Sequence, residues 1–305
     1  MQALPITIGE ALQLTRQTLL SSGRAASEDA VLQESELLVS KILEVRMGRF
    51  PKRAELYQNL LEEVSPQSWL TTERIVNRRA SGEPLQYLLG SQVFLNHDYR
   101  VASGVLIPRP ETELVVTEVI KRLQSRTRPP KMGIEIGLGS GVISIELLSA
   151  FTNLRMIASE VSDSAAAIAE QNASSILKEG ASRLQLLRAR NALEVFDTFR
   201  ENSEGIRADF LVSNPPYLDL SDEIETQVLE HEPPLALFPV SMDSLHFYAE
   251  ISRNSKEFLA EDAEIFVEIP SNRAEQIVGL FETEGWQVVL VPDLTGRSRA
   301  LVAHR

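Results

Sequence analysis

The chain has no cysteine among its 305 residues. Disulfides and thiolate metal ligands are therefore excluded, as expected for a reducing compartment such as the cytoplasm. Histidine is scarce: four residues, scattered, with no HxxxH or HExxH pairing. No metal site is expected. No apolar run approaches the roughly 18 residues needed to cross a bilayer, so membrane association is not expected. Residues 1–10 show neither a basic stretch before an apolar core nor an Arg-rich, acid-poor composition, so no secretory or transit signal is predicted. Basic charge is in deficit: 30 Lys and Arg against 43 Asp and Glu, a net charge of -13. A duplex-DNA binder needs the opposite balance to neutralise phosphates, so direct DNA binding is not expected. The local cluster Arg74, Arg78 and Arg79 leaves two readings open. It is a solvated helix face, or a docking patch for a partner carrying RNA or acidic surface. Internal repeats and low-complexity tracts are also missing.

What is present is ordinary globular material, 43% apolar and 24% charged, long enough for two domains. The first part reads as helices. Thr7 and Glu10 form a capping-box pattern before Ala11, Leu12 and Leu14. Ser27 caps a second helix whose stripe is Val31, Leu32, Leu37, Leu38 and Ile42, ended by Gly48. Ser65 and Pro66 open a third, through Trp69, Ile75 and Val76, stopping near Gly82. With no Gly-rich loop or acidic cluster, residues 1–90 are expected to bind a partner, or to be a purely structural cap. Residues 91–107 change period and suggest a β-hairpin linker. Beyond residue 110, a helix over 111–124 precedes alternating elements. Strands are predicted at 133–136, 155–160, 184–188, 210–213, 264–269, 286–291 and 300–303. Helices are predicted at 142–150, 163–179, 244–260 and 272–284, and a surface loop at 200–207. This alternation predicts an α/β fold, a doubly wound parallel sheet over 91–305. The last two strands are too close in sequence for a parallel crossover and must be antiparallel. Seven strands ending this way resemble the class I methyltransferase fold.

Two segments carry chemistry. Gly137, Leu138, Gly139, Ser140 and Gly141 follow an apolar strand and open a helix. Glycines allow a sharp turn and a close ligand, and the helix N-terminus can receive a carboxylate or phosphate. Alone, the pattern fits a nucleotide, a dinucleotide or S-adenosylmethionine, or a tight turn. Glu160 ends the second strand, where an acidic residue can accept ribose hydroxyls, or be a plain surface carboxylate. Asn191, beside Ala192, follows the third strand and could meet an adenine edge or only form a turn.

Asn214, Pro215, Pro216 and Tyr217 close the fourth strand. An amide nitrogen is a poor nucleophile because its lone pair is delocalised. The Asn214 side-chain oxygen and the Pro215 carbonyl can each accept one of its N–H groups, turning the lone pair toward an electrophilic methyl. Both bonds strengthen as positive charge grows on the nitrogen, which favours the transition state. Pro215 and Pro216 stiffen the turn. Tyr217 can lay its ring on a planar substrate group.

Together these residues resemble the release-factor glutamine methyltransferases, the PrmC/HemK family, over nearly the whole chain. The resemblance is carried by residues 82–87, 105–113, 214–217, 233–237 and 293–297, and by Glu36, Leu37 and Leu38. It implies methylation, with S-adenosylmethionine, of the glutamine side-chain amide in the Gly-Gly-Gln loop of class I peptide-chain release factors. It implies a cytoplasmic protein, expected to be a monomer. Gly137, Leu138, Gly139, Ser140, Gly141, Glu160, Asn191, Ala192 and Asn214 would bind the cofactor. Asn214, Pro215, Pro216 and Tyr217 would form the glutamine pocket. Arg109 would anchor the pocket wall or the partner, or pair with Glu111 or Glu113. The chain departs from the family at Glu135, where Asp is usual, and at Leu138, where a small or hydroxyl residue is usual. It also departs at Asn191 for Asp and at Ala192 for a larger apolar residue, and residues 239–243 replace a Gly-rich turn. Two rivals stand beside this reading. An adenine-N6 or guanine-N2 methyltransferase would use a similar clamp on an exocyclic amine. A non-catalytic binding module would keep the fold without the activity.

Overall fold

The computed structural model describes residues 7–24, 27–202, 207–241 and 243–305. The chain forms two compact units, Met1–Gly90 and Ser91–Arg305. The first contains helices α1 (Ile8–Ser22), α2 (Glu28–Met47), α3 (Arg53–Gln58), α4 (Pro66–Ala80) and α5 (Leu85–Leu89). The Thr7 hydroxyl accepts the Glu10 N–H while the Glu10 carboxylate accepts the Thr7 N–H, completing the predicted capping box. Left-handed Gly23 and Gly48 end α1 and α2. Ile8, Val39, Leu43, Leu56 and Trp69 make one small core, and Leu19, Val31, Leu38, Val76 and Leu88 another. Helices α3 and α5 were not predicted: at six and five residues they are too short to show a period. The docking-patch reading of the basic cluster is weakened. Arg79 is buried against Glu34 at 2.7 Å, and Arg78, though exposed, is paired with Glu83, so of the three only Arg74 is exposed without an ion pair among the described residues.

The second unit opens with the antiparallel hairpin β1 (Ser91–Phe94) and β2 (His97–Arg100). The predicted hairpin is therefore shorter than 91–107: Val101, Val105 and Ile107 are buried but belong to the following loop. Next come α6 (Pro110–Ser125), β3 (Met132–Ile136), α7 (Val142–Ala150), β4 (Arg155–Glu160), α8 (Asp163–Leu177), β5 (Leu184–Arg188), α9 (Val195–Asn202) and β6 (Ala208–Ser213). The chain continues through α10 (Thr226–His231), α11 (Pro234–Leu237), α12 (His246–Asn254), β7 (Leu259–Glu268), α13 (Ala274–Thr283), β8 (Gln287–Pro292) and β9 (Ser298–His304). The last seven strands form one sheet, in the order β5-β4-β3-β6-β7-β9-β8. It is parallel except that β9 runs against both β7 and β8, as the short final connection requires. Two apolar clusters cover the sheet, one including Ile134, Leu211, Ile265 and Leu301, the other Phe210, Val212, Phe266 and Val302.

Three element boundaries differ from expectation. Helix α9 runs to Asn202, so the loop predicted at 200–207 begins later, and residues 203–206 lie outside the described residues. The helix predicted over 244–260 stops at Asn254, and β7 begins at Leu259. The cause is an irregularity: Ala208 pairs with Leu259 but Phe210 with Glu264, and the polar residues between hide the strand's start.

Candidate functional site

From β3 the sheet grows outward in both directions, through β4 and β5 on one side and β6 and β7 on the other. The loops leaving β3 and β6 therefore diverge and open a crevice at the carboxyl ends of the strands. A cavity of about 590 Å³ fills it, within the range of roughly 300–1,000 Å³ that suits small-molecule sites. Ile136 pairs with Ser213, whose hydroxyl donates to the Ile136 carbonyl at 2.7 Å, so Gly137 and Asn214 leave the sheet side by side.

Gly137, Gly139 and Gly141 all have positive φ. At Gly141 a φ of +87° disfavours any side chain, and a Cβ would also crowd Ile145 Cδ1 at 2.9 Å and meet Ala169 Cβ at 3.4 Å. The loop's N–H groups are turned inward. Gly137 and Leu138 donate to the Ser159 carbonyl, Gly141 to the Leu138 carbonyl, and Gly139 to Glu160 Oε2 at 2.7 Å. The expected open cradle for a carboxylate or phosphate is thus largely closed by the loop's own bonds. Glu160 also accepts Val161 N and Ser162 N on Oε1. Those bonds leave the buried carboxylate with limited capacity for a further donor.

Glu135 is completely buried at the cavity floor. Its Oε2 accepts the Ser144 N–H at 3.0 Å and the Ser144 hydroxyl, while Oε1 has no hydrogen-bond partner. Burial pushes this carboxyl up to about 8, against the Ser144 bonds, and the Glu160 charge pushes the same way. Positive charge is sparse among the described residues lining the cavity. Arg109 is tied to Glu232, and the Arg190 side chain is 98% exposed. With carboxyl groups and little free positive charge, the lining disfavours a phosphate, and a cationic ligand would draw Glu135 into its charged form.

Leu138 does not project into open space. It is 2% exposed and packs with Ala158 and Ala169. Asn191 lines the cavity, but its Oδ1 caps a short 3-10 turn by accepting Leu193 N at 3.1 Å. The turn role is real, and the Asn191 amide N–H₂ is the polar group it has left to offer. Ala192 is buried beside it.

Asn214, Pro215 and Pro216 line the cavity; Tyr217 does not. The Tyr217 hydroxyl donates to Glu268 Oε1 at 3.2 Å, so the ring expected to stack on substrate is anchored in the core behind the clamp. Asn214 Nδ2 donates to Thr112 Oγ1 at 3.1 Å, and the Thr112 hydroxyl donates to Glu268 Oε2 at 2.7 Å. Arg109 lines the wall as expected, but its partner is the buried Glu232 rather than Glu111 or Glu113. Glu113 instead accepts the Leu95 N–H, and Glu111 lies 3.6 Å from Arg299. Exposed Leu235 and Val240 make part of the outer wall apolar. Thr112, Glu232 and Glu268 were not picked out as site residues in the sequence. Thr112 stands inside the segment 105–113 that carries the family resemblance; Glu268 had no signal beyond ending an apolar strand. Among the described residues no cluster of His, Asp and Glu could hold a metal ion, and no helix is long and apolar enough to cross a membrane.

Residues 10–90 match the PrmC N-terminal domain family. The chain is 33% identical over 282 residues to a release factor glutamine methyltransferase of Geobacter sulfurreducens, covering 92% of this chain and 90% of that one. It is also 33% identical over 236 residues to one from Bacteroides thetaiotaomicron, covering 76% and 80%. Among solved structures, a release-factor-specific protein-(glutamine-N5) methyltransferase from Alicyclobacillus acidocaldarius aligns with a TM-score of 0.40 at 24% identity, covering 65% of this chain and 93% of that one.

Proposed function

The chain belongs to the release factor glutamine methyltransferase family, and on that premise we propose that it methylates the glutamine side-chain amide in the Gly-Gly-Gln loop of class I peptide-chain release factors, using S-adenosylmethionine. The carrying observation is the orientation of Asn214. Its Nδ2 is engaged by Thr112, which leaves Oδ1 as the group it can offer to an incoming N–H. An acceptor at that position holds a primary amide so that its lone pair faces the methyl donor. The same oxygen stabilises the charge that grows on nitrogen. Pro215 and Pro216 hold the turn in place, and Tyr217 supports it from behind.

The residues present fit the cofactor. When bound, S-adenosylmethionine supplies an electrophilic methyl on a cationic sulfur. The unpartnered Glu135 oxygen at the cavity floor suits a cationic group, and an ammonium would satisfy it. Gly137, Gly139, Ser140 and Gly141 bring the backbone close, with Leu138 turned into the core. Glu160, already accepting three backbone N–H groups, has room for one further hydroxyl at most, and Asn191 and Ala192 flank the rim. Arg109, locked to Glu232, shapes the opposite wall.

The unit Met1–Gly90 serves partner binding in this reading. The protein works as a monomer in the cytoplasm, where its substrate acts, and does not bind DNA directly. A release factor incubated with the protein and S-adenosylmethionine is expected to gain one methyl. A release factor whose loop glutamine is replaced by glutamate is expected to gain none. Transfer to adenine in DNA, with none to the release factor, would favour the exocyclic-amine rival. Neither transfer nor cofactor binding would leave the non-catalytic reading.

A further inference from the structure

We propose that Glu268, acting through Thr112, is a positioning residue that decides which end of the Asn214 amide faces the cavity. The inference rests on the methyl-transfer reading and adds a residue to it.

An asparagine amide can turn over at little cost unless its neighbours distinguish oxygen from nitrogen. Here the distinction begins at the end of β7. Glu268 is 2% exposed and its carboxylate only accepts hydrogen bonds. Thr112 must therefore give its one proton to Glu268 Oε2, at 2.7 Å. Having done so, the Thr112 oxygen can only accept from its other neighbour. Asn214 must meet it with Nδ2, at 3.1 Å, and Oδ1 is left for the substrate. Tyr217 gives its proton to Glu268 Oε1, which holds the carboxylate from the other side. Protonating Glu268 reverses the chain. The acid then donates to Thr112, the Thr112 hydroxyl can point at Asn214, and the amide is free to turn its N–H₂ toward the substrate N–H. Two donors then face each other and the clamp is lost.

Several groups set the proton affinity of Glu268. Thr112 donates from α6, Tyr217 from the loop after β6, and Tyr248 on α12 gives its hydroxyl to the Glu268 backbone carbonyl at 2.8 Å. Glu111 on α6 adds negative charge and Arg299 on β9 positive. Burial outweighs the two side-chain hydrogen bonds and pushes the Glu268 carboxyl up to about 7. The switch therefore lies within the working range of pH.

The test measures kcat and KM for methyl transfer to a release factor between pH 5.5 and 9, with cofactor affinity by calorimetry and folding by circular dichroism. With cofactor saturating at every pH, wild type is expected to lose kcat as pH falls through about 7, while the pH dependence of cofactor affinity, set by Glu135, is expected to be the same in Glu268→Gln as in wild type. Glu268→Gln, which cannot titrate, is expected to lose that acidic limb and run at a lower, flat level. Thr112→Val is expected to lower kcat on the order of 100-fold through misorientation, with release-factor KM held within a few-fold. Thr112→Ser, which keeps the hydroxyl, is expected to restore it and covers the case in which the valine variant does not fold. An acidic limb that persists in Glu268→Gln, or serine and valine variants that match each other, would overturn the proposal while leaving the function standing. Wild type that binds cofactor but transfers no methyl would overturn both.

Discussion

At Glu135 the fold holds a carboxyl group wholly out of water, with one oxygen on Ser144 and the other unpartnered at the cavity floor. Its folded-state affinity for a proton is raised, to a midpoint of about 8. The sign follows directly: this proton contributes stability below the unfolded value and the contribution is lost as pH rises through about 8. The ligand-free protein should therefore melt at a lower temperature at pH 9 than at pH 6.5. Glu135→Gln should flatten that difference. A bound cation favours the charged carboxyl, so S-adenosylmethionine should bind more tightly as pH rises through the same range, and Glu135→Gln should weaken binding by about tenfold or more. Titration calorimetry at several pH values checks both effects. The residue scale also shows what the sequence could and could not disclose. The tetrapeptide from Asn214 to Tyr217 was legible because its chemistry is local. Thr112 and Glu268 were not, because they meet Asn214 and each other across 102 and 156 residues of chain. The bond from Tyr217 to Glu268 was not legible for the same reason, since that partner lies on a strand formed much later in the chain.

Among the elements, the glycine loop between β3 and α7 is the most constrained. Gly141 combines a φ of +87° with a would-be Cβ contact of 2.9 Å to Ile145 and 3.4 Å to Ala169 on α8. Gly141→Ala should destabilise the Ser91–Arg305 unit by about 2 kcal/mol, from the strained backbone and the crowding together. It should also reduce cofactor affinity, because relief of the clash must move the loop. Denaturant melts and cofactor titration on the same variant check it, and wild-type stability would contradict the packing described. The loop was legible as a turn against a helix. Its internal hydrogen bonds were not, because sequence spacing does not reveal that Ser159 and Glu160 reach back to take its N–H groups. Most long periodic helices and strands were read within a few residues of their true ends, but the helix predicted over 244–260 stops at Asn254. The short helices α3, α5, α9, α10 and α11 were missed, since one or two turns leave no measurable period. The register shift between β6 and β7 hid the start of β7 behind polar residues.

For the whole molecule, the alternation of elements disclosed the doubly wound sheet, and the short last connection disclosed its antiparallel end. The position of the cavity then follows from the strand order, because the crevice opens where the chain turns from β3 outward in two directions. A ligand that binds only the folded Ser91–Arg305 unit should stabilise it. At about 100 times its dissociation constant, S-adenosylmethionine should contribute roughly 2.7 kcal/mol. That corresponds to a rise of roughly 5–10 °C in melting temperature for a unit of this size. S-adenosylmethionine that leaves the transition unmoved would place the cofactor elsewhere. The most direct test of the central claim is the single-turnover rate of methyl transfer to a release factor, wild type against Asn214→Ala, with fragmentation mass spectrometry to locate the methyl. One methyl is expected on the loop glutamine's side-chain nitrogen, with a rate lower by roughly 10²–10³-fold in the variant when cofactor is saturating. A methyl at any other atom, or a variant as fast as wild type, would contradict that claim.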